Sequence, residues 1–446
     1  MENSIQLNTR IITIKELLTF KGLKLPVYQR PYKWQEVHIQ QLIEDIQTFK
    51  NKSSYRLGTL VIHKDGNDYN IVDGQQRTIS CILLFKAICK TKENIDKQLQ
   101  VELGDISDKL VDFTFSNNIS KANISQNYKI ACRSIAKLNE DFISFFLNKC
   151  EFVYSEINQI TEAFQFFDAQ NARGKDLAPH DLLKAYHLRE YSKSEEKSKL
   201  NDVEAWENYQ TENLTKLFGD YLFRIRSWSR GESGFEFDKN KIHLFKGVTI
   251  SNIDDYNYTK TLKIVHHYID EYNNSYHRNV DGNIRSYPFQ LDAPIINGRR
   301  FFEMIGYYKQ IFDLVFDSIK KENVLNAISK NIFEAIKRYP GCNRVGDTYV
   351  RTLFECALVF YVDKYGLYDI NNAVEKIFAW AYKLRLVYYA IQFKSVDNYV
   401  LQENMFLDIK NSYTSREALQ RVILFDTPIQ REIKEIEEIL SELYYI

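Results

Sequence analysis

Three short segments carry residue types able to bind a phosphorylated ligand. The first is Asp73-Gly74-Gln75-Gln76-Arg77, placed where a strand-patterned run meets a helix-patterned one. The first backbone N–H groups of a helix point beyond its start, and the helix dipole favours an anion there. Gly74 would let the backbone approach a phosphate closely, and Arg77 could grip it with two parallel hydrogen bonds. Asp73 could hold a magnesium ion, a ribose hydroxyl or the arginine itself. The competing reading is a tight turn with Arg77 paired to Asp73, and spacing alone does not choose between them. No G-x-x-x-x-G-K-[S/T] loop is present, so a phosphate site here would be of another kind.

The second segment is Tyr28-Gln29-Arg30-Pro31-Tyr32-Lys33-Trp34. Its aromatic rings and cations could stack on a base and neutralise phosphate. On composition alone, Tyr32 and Trp34 read more readily as core anchors and Arg30 as a surface ion pair. The third runs from Phe167 to Leu177 (FDAQNARGKDL), followed by Asp181-Leu182-Leu183-Lys184-Ala185. Asn171 and Arg173 could complete a phosphate or metal half-site, but a helix–helix connection capped by Asn171 and Gly174 explains the same residues.

The elements that must position these residues follow from periodicity. Thr13 to Phe20 reads as a short helix ended by Gly22. Residues 26–32 must be extended, because proline disfavours helix at the residue before it. Gln35 to Phe49 has an apolar stripe at helical spacing. Leu57 to His63 and Asp68 to Asp73 read as a hairpin turned at Asp65-Gly66-Asn67, and the second strand runs into a buried helix ending near Cys89. Residues 91–155 read as polar and helical. A helix over Ile157–Phe167 is predicted next, then a loop, then a helix opened by Pro179. The charged stretch Tyr191–Asn201 lacks apolar periodicity and reads as an exposed linker. Beyond it, Ala373, Ile377, Trp380, Leu384 and Tyr388 form one helical stripe. Ile429, Ile433, Ile436, Leu440 and Leu443 form another, on a helix started by Thr427-Pro428.

At 446 residues the chain exceeds one ordinary core, so two domains are expected. Only 16 glycines and 7 prolines disfavour a turn-rich sandwich or barrel. Lysine plus arginine equals aspartate plus glutamate at 59 each, so any DNA contact must come from a local patch or a partner. The best such patch is Arg224-Ile225-Arg226-Ser227-Trp228-Ser229-Arg230 with Lys239, Lys241 and Lys246. Another lies at Lys337, Arg338, Arg344 and Arg351. A solvated charged helix face is the more economical reading of each. Six scattered cysteines without a C-x-x-C pair, a polar start and no apolar run long enough to span a bilayer fit a reduced cytoplasmic protein.

Taken together, the three segments resemble one family, the N-terminal domain of GmrSD-type modification-dependent restriction endonucleases. The matching features are Y-Q-R-x-Y-x-W at 28–34, Leu57-Gly58-Thr59, Val72-Asp73-Gly74-Gln75-Gln76-Arg77-Thr78, and Asn171-Ala172-Arg173-Gly174-Lys175-Asp176-Leu177 with Asp181-Leu182-Leu183-Lys184. Gly346 to Arg351, Leu353-Phe354-Glu355 and Leu384-Arg385-Leu386 look like the helical region of longer members. The resemblance implies a fold related to the ParB and sulfiredoxin nucleotide-binding domains. It implies nucleotide binding and, in several members, NTP hydrolysis linked to DNA cleavage. Carried over by motif, Asp73, Gly74, Gln75, Gln76 and Arg77 form the nucleotide site, with Gln29 and Arg30 beside them and Asn171 and Arg173 less securely placed. Fused members end in an HNH-type nuclease. Here His266, His267 and His277 lie in a Tyr- and Asn-rich helical stretch without a ββα pattern, and read as a helix face rather than a metal site.

The expected fold is therefore α+β: a small mixed sheet with helices over residues 1–192, then a mainly helical domain over 193–446. The expected function is that of a nucleotide-binding, NTP-hydrolysing sensor or regulatory subunit of a restriction or phage-defence system. A nucleotide-gated DNA-binding or protein-interaction module without significant turnover is the alternative. The ligand expected is an NTP, with magnesium as its companion. The partners expected are DNA, directly or through another protein, a nuclease chain, and a second copy of the chain.

Overall fold

The computed structural model describes residues 8–26, 29, 31–91, 95–115, 118–158, 178–191, 195–250, 256–318, 324–425 and 432–444. The chain divides into two compact units, Met1–Leu177 with Val203–Glu207, and Ala178–Asp202 with Asn208–Ile446.

The first unit runs β1 (Asn8–Thr13), α1 (Ile14–Leu18), β2 (Leu23–Lys24), α2 (Glu36–Phe49), β3 (Tyr55–Asp65), β4 (Asp68–Asp73), α3 (Gln75–Thr91), α4 (Lys97–Asp108), α5 (Asn118–Ile135), α6 (Glu140–Lys149) and β5 (Cys150–Ile157). Its five strands form a mixed sheet in the order β1-β5-β3-β4-β2. β3 pairs parallel with β5 and antiparallel with β4, which places the end of β4 beside the middle of β3. Thr13 and Glu16 close a capping box that starts α1. α2 turns Ile39, Leu42, Ile43 and Ile46 into the core, as its stripe requires. α3 is buried on nearly every side, from Thr78 to Phe85 without interruption. It is the central helix of the unit.

Two features depart from the sequence reading. Residues 91–155 are not helical throughout, because α6 passes directly into β5 at Cys150. Cys150, Phe152 and Tyr154 are fully buried while Glu151 and Val153 are partly exposed, the alternation of a strand. Ile157 accordingly closes β5 rather than opening a helix; residues 159–167 lie outside the described residues.

Among the described residues of the second unit the named elements are helices. They are α7 (Pro179–Arg189), α8 (Glu196–Glu207, whose last five residues belong to the first unit), α9 (Thr211–Lys216), α10 (Phe223–Trp228), α11 (Thr259–Asn274), α12 (Tyr276–Asp281), α13 (Arg299–Asp313), α14 (Ala327–Arg338), α15 (Val345–Tyr365), α16 (Ile370–Val387), α17 (Phe393–Gln402), α18 (Met405–Asn411), α19 (Ser415–Ala418) and α20 (Lys434–Tyr444). Pro179 occupies the first turn of α7, as expected. The stretch 191–201 is not a plain linker: α8 begins inside it, and Tyr191 Oη donates to Asp202 Oδ2 at 2.5 Å. On α16, Ala373, Ile377, Trp380 and Leu384 are buried, but Tyr388 lies past the helix end and is exposed. The last described helix spans Lys434–Tyr444 and follows the buried Ile433, while the expected start at Thr427-Pro428 lies outside the described residues.

Within the basic stripe Arg224–Arg230, Arg224 and Arg226 do not lie on a solvated face, whereas Arg230 is exposed. Arg226 is buried and donates to the carbonyl oxygens of Leu244 (3.1 Å), Leu291 (2.5 Å) and Ala293 (3.1 Å). Burial pushes its pKa down to about 10. Arg224 pairs with Asp220 at 2.8 Å and lies over the ring of Phe393. The Gly346–Arg351 and Leu384–Leu386 segments meet in a second buried cluster, where Asp347 Oδ1 accepts from Arg385 Nε and from Tyr339 Oη, both at 2.7 Å. The Arg385 and Asp347 side chains are only 1% and 3% exposed. All six cysteines are free, and Cys81, Cys150, Cys342 and Cys356 are buried. Among the described residues no helix is long and apolar enough to cross a membrane.

Removing one partner of a buried ion pair leaves the other charge uncompensated. Asp347→Ala is therefore expected to lower the stability of the second unit by about 3–5 kcal/mol in urea denaturation. Arg338→Ala, which breaks an exposed pair with Glu334, should change it by no more than about 0.5 kcal/mol. Equal effects from the two variants would refute this account of the Gly346–Arg351 segment.

Candidate functional site

The site is built where β4 ends and α3 begins. Gly74 stands at the junction with φ +93°, and its carbonyl accepts from Thr78 N at 3.0 Å to start the helix. A Cβ at this position would lie 2.8 Å from Thr59 O and 3.1 Å from Leu60 Cδ1. Both the backbone conformation and the close approach to β3 thus require glycine. Asp73 Oδ1 accepts from Gly74 N at 2.7 Å, so one carboxylate oxygen is turned onto the junction's backbone.

The two glutamines of the motif sit differently. Gln75 is buried, at 7% exposure. Gln76 reaches across to residues 31–34: its Oε1 accepts from Lys33 N (2.9 Å) and Trp34 N (3.2 Å), while Nε2 donates to Pro31 O (3.1 Å). Gln29 makes the reciprocal contact, donating from Nε2 to the carbonyls of Ile71 (2.9 Å) and Val72 (2.8 Å) on β4. Two separate sequence motifs are thereby locked together by two side-chain amides.

Arg77 is the exception. Its side chain is exposed and has no ion pair or hydrogen bond among the described residues, so it is not the partner of Asp73 in a closed turn. Its guanidinium lies over Gly58, where a Cβ would collide with Nη1. Gly58 has φ +128° and marks a register shift between Arg56 and Gly58 in the β3–β5 pairing. Tyr55, at the start of β3, has its pKa raised by burial and by Asp45, with Arg77 pulling it back. The arrangement offers a planar, unpaired cation beside the N-terminus of a 17-residue helix, a place suited to an anion.

Tyr32 and Trp34 serve the core. Tyr32 is fully buried; its hydroxyl lies 2.9 Å from Ser80 Oγ and accepts from Asn127 Nδ2 at 3.1 Å. Ser80 donates to Gln76 O, which leaves the Tyr32 hydroxyl as donor to Ser80. Burial raises the Tyr32 pKa, with Ser80 and Asn127 opposing. Trp34 stacks on His38 at 5.6 Å. Arg30, Asn171 and Arg173 lie outside the described residues. The sequence reading missed Gly58 as part of the site, although an isolated glycine inside a strand pattern signals a bulge or a close approach. It also missed Ser120, Asn123 and Asn127 on α5, which carry no motif of their own.

Residues 14–188, which include this junction, match the family model of the GmrSD restriction endonuclease, N-terminal domain. The chain carries a GmrSD N-terminal domain over these residues. The GmrSD match spans all three motif segments, and no HNH domain accompanies it. Residues 198–438, just over half of the chain, match the model of a family of unknown function (DUF7834), and the chain belongs to that family. No curated protein matches the chain. Among the described residues no group of three or more His, Cys, Asp or Glu side chains could hold a metal ion.

The amide clamp in the GmrSD domain can be tested by stability. Gln76→Ala removes three hydrogen bonds to backbone, two of them part-buried, at about 0.5–1.5 kcal/mol each. Denaturant unfolding should register a loss of about 2–4 kcal/mol. A loss below about 0.5 kcal/mol would show that residues 31–34 are held by other contacts.

Proposed function

We propose that this protein is a nucleotide-binding, NTP-hydrolysing sensor or regulatory subunit of a restriction or phage-defence system, with DNA cleavage supplied by a partner nuclease. The GmrSD domain points to a restriction system. The observation that carries the nucleotide reading is Arg77: an exposed guanidinium without a partner among the described residues, resting on Gly58 at the start of α3. A triphosphate there would meet a planar fork of donors and the positive end of the helix. Magnesium would arrive with the nucleotide, held mainly by its phosphates, with Asp73 as the nearest carboxylate of the motif. Gln76 and Gln29 position the site through the backbone. Asn171 and Arg173 remain in the proposal as groups that complete it.

One observation favours a second reading, a nucleotide-gated binding module without significant turnover. Gln76 is engaged by three backbone groups and Gln75 is buried, so Asp73 is the motif's most accessible candidate for activating water. A panel of NTPs with and without DNA separates the two readings by phosphate release.

Arg77→Ala is expected to cost about 2–3 kcal/mol of nucleotide affinity in calorimetry, the scale of a charge-assisted pair of hydrogen bonds. The melting temperature should stay unchanged, because the side chain is exposed. Arg173→Ala should behave in the same way. Unchanged affinity in Arg77→Ala would remove the junction from the proposal. With magnesium or manganese, the purified chain alone should leave DNA intact. Cleavage that survives rigorous purification would place the nuclease on this chain.

A further inference from the structure

The two faces of α11 differ in what holds them. Its 16 residues bury only Thr259 and Ile269, whereas the 15-residue α13 buries seven side chains. Helices in proteins draw most of their stability from packing, so α11 is lightly supported for its length. Its inner face is anchored. Arg300 donates from Nε to His266 Nδ1 at 3.2 Å and from Nη2 to Asp270 Oδ1 at 2.6 Å. Arg299 also pairs with Asp270.

The outer face carries Lys260, Ile264, His267 and Glu271 at spacings of four, three and four, the seam spacing of a coiled coil. All four are exposed, Ile264 by 68%, and Tyr268 beside them is exposed by 50%. Neither Lys260 nor Glu271 has a side-chain ion pair or hydrogen bond among the described residues. Their separation along the helix is about 16 Å, so the two cannot meet within one copy.

Exposed aromatic rings continue this face past both ends of the helix. Tyr256 and Tyr258 are 63% and 57% exposed and stack on each other at 6.0 Å just before it. Tyr276, 79% exposed, opens α12 just after it. Large exposed apolar patches of this kind mark interaction sites.

The charges of the seam are complementary to their own reverse. When a second α11 lies antiparallel about a two-fold axis between Val265 and His266, Lys260 of each copy stands opposite Glu271 of the other. Ile264 of each copy then stands opposite His267 of the other. Tyr256 and Tyr258 reach the end of the second helix, where its Tyr276 lies. One register thus pairs both charges twice and brings the aromatic groups of the two copies together. At about 150–250 Å² for a full aromatic side chain, the four tyrosines with Ile264 offer area on the order of the 800 Å² per partner of a standard interface. A nucleic-acid strand matches this face less well. Glu271 would face its phosphates, and the Tyr272 ring is already covered by Arg278 and Arg285, both at 4.3 Å.

We propose that α11 is a homodimer interface, where two copies of this chain pair antiparallel through Lys260, Ile264, His267 and Glu271. The interface belongs to the helical unit and does not rest on the nucleotide reading.

The test follows the full chain by sedimentation equilibrium over a range of concentrations. The unsubstituted chain should form dimers, and Ile264→Asp should weaken them by about tenfold or more. Charge reversal then tests the register and controls for folding. Lys260→Glu and Glu271→Lys each set like charges opposite one another twice, and each alone should weaken the dimer by about tenfold or more. Mixed in equal amounts, these two variants should associate with each other, because the mixed pair restores every charge contact. Both reversals in one chain should restore the homodimer. A chain that stays monomeric would overturn the proposal, and so would a dimer indifferent to Ile264→Asp. Failure of both the mixture and the double variant to associate would overturn it as well. A monomer that binds lipid vesicles or a single-stranded oligonucleotide, and loses that binding in Tyr268→Ala, would give the face to that occupant instead. Nucleotide binding at Arg77 can be measured on the Ile264→Asp chain, so the two proposals fail separately.

Discussion

Residues 31–34 run past α3 without a strand partner, and proline at 31 has no N–H to offer one. Buried backbone groups left without partners are costly, so each must be satisfied by something else. The structure answers group by group. Gln76 takes the carbonyl of Pro31 and the N–H groups of Lys33 and Trp34. Ser120 accepts from Tyr32 N, Asn123 donates to Tyr32 O, and Asn127 donates to Trp34 O. Four side chains thus do what a neighbouring strand would do. Residues 31–34 therefore take their shape from side chains of α3 and α5.

This division of labour changes what the motif means. Of its five residues, Gly74 makes the turn, Gln75 is buried, Gln76 is a clamp and Asp73 binds the junction's backbone with one oxygen. Arg77 alone stands exposed and unpaired among the described residues. A positive-φ glycine on a neighbouring strand then acquires a purpose. Gly58 clears the space in which the guanidinium lies, and Gly74 brings the helix start close enough to β3 for it to do so. Two backbone positions that only glycine can occupy without strain define where the Arg77 guanidinium sits.

The sequence made the hairpin, the helix after it and the junction legible, because each carries a strong period or a glycine at a fixed offset. The core role of Tyr32 and Trp34 was legible too, from the size of their rings. β5 was not. Its alternation spans only eight residues and follows a helix without a loop, so the period-2 signal has no turn to announce it. The roles of Gln29 and Gln76 were equally hidden. An amide that binds backbone looks the same in sequence as one that binds ligand, and only the path of the partner segment tells them apart.

The second unit shows how poorly charge alone predicts function. Arg226, Arg385 and Arg300 are all buried arginines, yet each is satisfied differently. Arg226 is held by three backbone carbonyls, in a stripe that sequence offered as a nucleic-acid edge. Arg385 meets Asp347 in a closed cluster with Tyr339. At Arg300 the partners are carboxylates and an imidazole that stand at the border of open space. Holding a guanidinium rigid there costs desolvation that two well-packed apolar side chains would avoid.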